Sequence, residues 1–118
     1  MLFDIIKRIF GARDNDYKTS QENVIYSNEP FSMVVDDVFN ILGKGDVVTG
    51  KIERGAIRIG DKVKIAGGRS GKIFEVKDIE KLFKNNIKQA QAGEAVGIVL
   101  YGVNESDIQR GDTLERVY

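Results

Sequence analysis

Two periods of hydrophobic and polar positions divide the chain. In Met1–Gly11 the apolar residues Leu2, Phe3, Ile5, Ile6, Ile9 and Phe10 recur at three- and four-residue spacing, with Asp4, Lys7 and Arg8 on the other side. That spacing predicts a short amphipathic helix, which Gly11 can end. A helix of this length is marginal alone in water, so its stripe needs a partner: its own domain, a second copy, another protein or a bilayer. Residues 12–30 are polar, rich in Asp, Asn, Ser and Gln, and read as a linker closed by Pro30, the chain's one proline.

From Phe31 the period falls to two, and glycine interrupts the apolar runs every eight to twelve residues. This predicts short strands over 31–42, 47–54, 62–66, 72–79, 95–103 and 113–118, as in a small barrel or sandwich. In the second strand Val48, Gly50 and Ile52 share one face, and Val47, Thr49 and Lys51 share the other. Gly67–Gly71 reads as a hairpin connection. Ile79, Leu82, Phe83 and Ile87 have helical spacing, so 79–91 reads as loop with a turn of helix.

The length of 118 residues suits a single domain, and 42% hydrophobic with 31% charged residues places it among ordinary globular chains. The chain has no Cys and no His. Disulfides, thiolate or imidazole metal sites, cysteine nucleophiles and histidine bases are therefore excluded. No cofactor and no metal site are expected. No stretch reads as a signal peptide or a membrane span, which places the chain in the cytoplasm. Net charge is zero, but Lys44–Lys88 holds twelve basic residues against six acidic, and Gln89–Tyr118 two against five. On a folded barrel this is either a mixed-charge surface or a basic face for phosphates.

Several motifs are near misses. Gly45–Ile52 has the glycine and lysine spacing of a phosphate-binding loop, but Ile52 stands where a hydroxyl must hold Mg²⁺, and Val47-Val48-Thr49 is a strand run, so no nucleotide is expected. Arg110-Gly111-Asp112 is a turn, and Asn104-Glu105-Ser106 is a glycosylation pattern without an export signal. Asp36 and Asp37 are adjacent on a strand and point apart. Without an acid/base couple the residues argue against an enzyme.

The segment Asp37-Val38-Phe39-Asn40-Ile41-Leu42-Gly43-Lys44-Gly45-Asp46-Val47-Val48-Thr49-Gly50-Lys51-Ile52-Glu53-Arg54-Gly55, then Ile57–Val63, Ala92–Val103 and Ile108–Leu114, resembles the second domain of elongation factor Tu and related translational GTPases. The resemblance covers 31–118 and implies an all-β fold: a closed six-stranded antiparallel barrel, here following the N-terminal helix 1–11 and linker 12–30. Val48, Ile52, Val63, Ile65, Val96, Ile98 and Leu100 are its expected apolar lining. In elongation factor Tu this domain helps hold the aminoacylated 3′ end of transfer RNA through a Glu and an Arg near the segment similar to Glu80–Lys84, and through an Asn and a Leu similar in position to Ala95 and Val99. Lys84 stands in place of the Arg, and Ala95 lacks the amide. Only 1–30 precedes the barrel, so the family's nucleotide-binding domain is not expected, and neither is GTP hydrolysis.

Two functions follow as expectations. One is a non-catalytic module contacting transfer RNA, ribosomal RNA or translation components, with Lys44, Lys51, Arg54, Arg58, Glu80, Lys81 and Lys84 as the RNA-binding candidates. The other is an interaction or scaffold module, recruited to a protein partner or forming a homo-oligomer through Leu2, Ile5, Ile6, Ile9 and Phe10. A membrane surface ranks below these partners.

Overall fold

The computed structural model describes residues 29–68, 71–81, 84–104 and 106–118, with side chains for all of these except 84–86. The expected helix over 1–11, with Leu2, Ile5, Ile6, Ile9 and Phe10, and the linker as far as 28 lie outside the described residues.

The strands are β1 (Ser32–Ile41), β2 (Gly45–Arg54), β3 (Ala56–Arg58), β4 (Lys62–Ile65), β5 (Ile73–Lys81), β6 (Lys84–Ile87), β7 (Gln89–Gln91), β8 (Ala95–Leu100) and β9 (Thr113–Val117). Hydrogen bonding runs in the order β4-β9-β1-β2-β8-β5, and β5 pairs back onto β4. All six pairings of that ring are antiparallel, so the sheet closes into a six-stranded barrel. Closure removes the open sheet edges on which strands aggregate.

Alternation along each strand sends one set of side chains inward. Val48, Ile52, Val63, Ile65, Val96, Ile98 and Leu100, the lining expected from the sequence, all belong to the buried core, together with Phe31, Met33, Val35 and Phe74. The short antiparallel ribbon of β3 and β7 contributes Ile57 and Ala90 to that core, and the loop before β9 contributes Ile108. Gly50 allows β1 and β2 to approach closely inside this narrow cylinder. A Cβ there would stand 2.3 Å from the Val34 carbonyl oxygen.

The β1–β2 register shifts twice, between Ser32 and Met33 and again between Val35 and Asp37. The Val35 N–H donates to the Asp112 carbonyl and its own carbonyl accepts from the Gly111 N–H, both at 2.8 Å. Asp36 is thus the extra residue of a bulge, and Val38, not Asp37, resumes the inward phase.

The segment 79–91 departs from the expected loop with a turn of helix. It holds the end of β5 and the strands β6 and β7. Ile79 and Ile87 face each other across the β5–β6 hairpin instead of stacking along one helix, and Ile79 is fully buried in the core. Tertiary pairing overrides the local spacing here, as it does for short apolar runs in general.

Candidate functional site

Lys44 sits in the β1–β2 turn between Gly43 (φ 85°) and Gly45 (φ 114°), conformations that side chains other than glycine rarely adopt. Its N–H donates to the Ile41 carbonyl at 2.9 Å, and the turn directs the side chain back over the outside of the barrel. There its Nζ lies 2.7 Å from Oε2 of Glu80. Glu80 is opposite Gly97, and Gly97 is opposite Thr49, so the carboxylate rests over a position with no side chain. The Glu80 side chain is 3% exposed. A buried carboxylate requires such a partner, and the charge of the lysine is thereby matched on the barrel itself.

Lys81 is placed in the same way. Its Nζ pairs with Oε2 of Glu94, another buried carboxylate, whose Oε1 accepts the Gln91 N–H at 2.8 Å. The turn carrying Glu94 is bonded to β2, since the Ile52 N–H donates to the Glu94 carbonyl and the Gly93 N–H to the Ile52 carbonyl. Two of the expected RNA-binding lysines, with the candidate Glu80, therefore form internal ion pairs.

Other lysines of the basic stretch are balanced across strands. On β4, Lys62 is directly opposite Glu75 and Lys64 opposite Glu115. Lys72 bonds Asp107 at 2.9 Å, and Asp107 also accepts the Asn104 N–H at 2.8 Å. The Asn104 N–H first, and Lys72 second, hold the Asp107 carboxyl below the usual carboxylate range, against a smaller opposing effect of desolvation. Lys77 donates to the Lys44 carbonyl and lies over the Tyr101 ring.

Lys51 is exposed, but it lines an open groove of about 490 Å³ with Asp36 and Glu53. Arg54, at the end of β2, and Arg58, on β3, are also exposed. Lys88 immediately precedes β7, where the Ile59 N–H donates to its carbonyl, one residue before Gln89, which is opposite Arg58. Lys88 is exposed too. It was not singled out from the sequence, since three-residue strands leave no periodic signal. Asp61 does not cancel the Arg58 side chain: its carboxylate accepts the Arg58 backbone N–H and pairs with Arg116 at 3.3 Å. Lys84 begins β6, and its side chain lies outside the described positions.

The structure thus joins Glu80 to Lys44 and separates both from Arg54 and Arg58. Val99 is on the outward face with Glu80, opposite Val47, whereas Ala95 is opposite Lys51. The near-miss phosphate loop at Gly45–Ile52 is continuous β2 strand, with its backbone groups engaged in pairing to β1 and β8. Among the described residues, no three acidic groups gather to hold a metal ion, and no helix is long and apolar enough to cross a membrane.

Comparison with solved structures finds translation elongation factor SelB from Methanococcus maripaludis, in its apo form, at a TM-score of 0.69 and 29% identity. The match covers 95% of this chain and 22% of the SelB chain, so the present chain spans about a fifth of that factor. The family model of elongation factor Tu domain 2 matches residues 45–115, more than half of the chain. With the closed barrel and its lining, this match establishes that the chain belongs to the elongation factor Tu domain 2 family.

Proposed function

We propose that this barrel is a non-catalytic binding module that contacts RNA of the translation apparatus, in the cytoplasm, through the exposed cations Arg54, Arg58 and Lys88. Domain 2 of the translational GTPases is a non-catalytic domain, and family membership supports that part of the reading. One observation carries the rest: these cations are exposed at the β2 end and on the β3–β7 ribbon, while Lys44 and Lys81 are paired with buried glutamates. Guanidinium groups bind phosphate oxygens in a planar fork, and two of the three are arginines. Lys51 is exposed too but shares its groove with two carboxylates, which reduces its attraction for a polyanion.

The test is a titration of the full chain with transfer RNA and with a ribosomal RNA fragment at two salt concentrations. Phosphate contacts release counterions, so affinity should fall steeply as salt rises. Arg54→Glu with Arg58→Glu should abolish binding at the lower salt. No binding at low salt, or an affinity that salt leaves unchanged, would refute the reading.

A further inference from the structure

The chain leaves β9 with Leu114, Arg116 and Tyr118 at alternate positions, which puts the three side chains on one side of the strand. Leu114 is buried opposite Ile65 of β4, and Arg116 is opposite the buried Val63, so this side is the inward one until the barrel ends. An arginine in that phase needs a partner, and Asp61 supplies it: Nη2 of Arg116 lies 3.3 Å from Oδ1 of Asp61, whose side chain is 13% exposed. The Arg116 guanidinium in turn stands over the Tyr118 ring, with its carbon 4.8 Å from the ring centroid. Tyr118 is 79% exposed, so the guanidinium supports one side of the ring and the rest is open. A cation held in place over an aromatic face also holds the ring.

The same carboxylate ties this ring to the proposed phosphate contacts. Asp61 accepts the Arg58 N–H at 2.8 Å through its other oxygen, Oδ2. The support of the ring and an exposed arginine are therefore anchored on one residue. We infer that Tyr118 is a platform for one unpaired base, so that the RNA this barrel takes is single-stranded at the contact, with the base on the tyrosine and a backbone phosphate at Arg58. This inference rests on the RNA reading above and narrows it. Every base has a π-face that can stack on such a ring, whereas in a duplex those faces are already covered by neighbouring base pairs.

The test compares a short unstructured RNA strand of mixed sequence with the same strand annealed to its complement, both titrated with the full chain at low salt. The single strand should bind more tightly. A duplex has the higher charge density, so this preference cannot come from cations alone. Tyr118→Leu should weaken binding of the single strand roughly tenfold or more. It should leave the slope of log affinity against log salt unchanged, because stacking releases no counterions, and leave the thermal midpoint in place, because the ring is exposed. Tyr118→Phe keeps the π-face and should bind like the parent. The control is Tyr101→Leu, which removes the other exposed tyrosine with a cation over its ring, Lys77 at 5.4 Å, and should leave affinity unchanged. Parent-like binding by Tyr118→Leu, a duplex bound as tightly as the single strand, or an equal loss from Tyr101→Leu would each overturn the inference and leave RNA binding standing. A parent chain that binds neither RNA would overturn both.

Discussion

Lys44 and Glu80 are thirty-six residues apart in sequence, and their charged atoms lie 2.7 Å apart on the outer wall of the barrel. The glutamate is nearly inaccessible, and the lysine side chain is 28% exposed. Removing only the cation leaves a buried charge without its partner. A fully buried pair would lose about 3–5 kcal/mol, and the exposure of Lys44 reduces this to about 1–3 kcal/mol for Lys44→Met. Adding Glu80→Gln should recover much of the loss. Urea denaturation of both single variants and the double variant closes the cycle, and additivity within ~0.5 kcal/mol would show that the pair is not coupled.

Gly50→Ala should be among the most damaging single changes. Its new methyl would meet the Val34 carbonyl oxygen at 2.3 Å, and this is backbone, which cannot swing aside as a flexible side chain would. The strands β1 and β2 would have to separate along the barrel wall, for a loss of about 3 kcal/mol or more. Gly43→Ala has open space around its Cβ and is strained only by its positive φ, so it should cost about 1 kcal/mol. Chemical denaturation should rank the two in that order.

Alternation makes the strands and their inward faces legible in the sequence, whereas closure into a six-stranded barrel is what the resemblance to elongation factor Tu domain 2 implies. Val96, Ile98 and Leu100 occur at every second position, Val48 and Ile52 keep the same phase on either side of Gly50, and all five line the core. The bulge at Asp36 was not legible, since it depends on backbone bonds from Val35 to Gly111 and Asp112, residues distant along the chain. The same limit applies to 79–91, where Ile79 and Ile87 have helical spacing but meet across a hairpin. The candidate site was legible only in part. A local count of lysines and arginines identifies a basic stretch but gives no sign that Glu80 and Glu94 fold onto Lys44 and Lys81, or that Lys88 joins the end of the ribbon that carries Arg58. Composition counts charges, whereas phosphate contacts depend on which charges remain at the surface.

Asp107 should make stability depend on pH in one direction. Its carboxyl is held below the ordinary value by the Asn104 N–H and by Lys72, so the folded chain binds a proton there less readily than the unfolded chain. The contribution is complete above the unfolded carboxylate value, about pH 4, and fades as pH falls through the lower folded value. Asp107→Asn should therefore be less stable than the parent at pH 6, by a margin that shrinks at pH 3. A margin equal at both pH values would mean that the ionised carboxylate is not what ties the loop before β9 to Lys72.

The lysines in ion pairs and the exposed arginines should separate in an RNA titration. If RNA contacts the exposed cations, Arg54→Gln and Arg58→Gln should each weaken binding and lower the slope of log affinity against log salt by about 0.7, the value for one phosphate contact on a single strand. Lys88→Gln should act in the same direction, since Lys88 is also exposed at the start of the β3–β7 ribbon. Lys44→Gln and Lys81→Gln should instead reduce stability and leave the slope unchanged, because their charges are already matched by Glu80 and Glu94. A lowered slope for Lys44→Gln or Lys81→Gln would mean that these pairs open on binding. The interface would then lie on the outer wall around β5 and β8, and not at the β3–β7 ribbon.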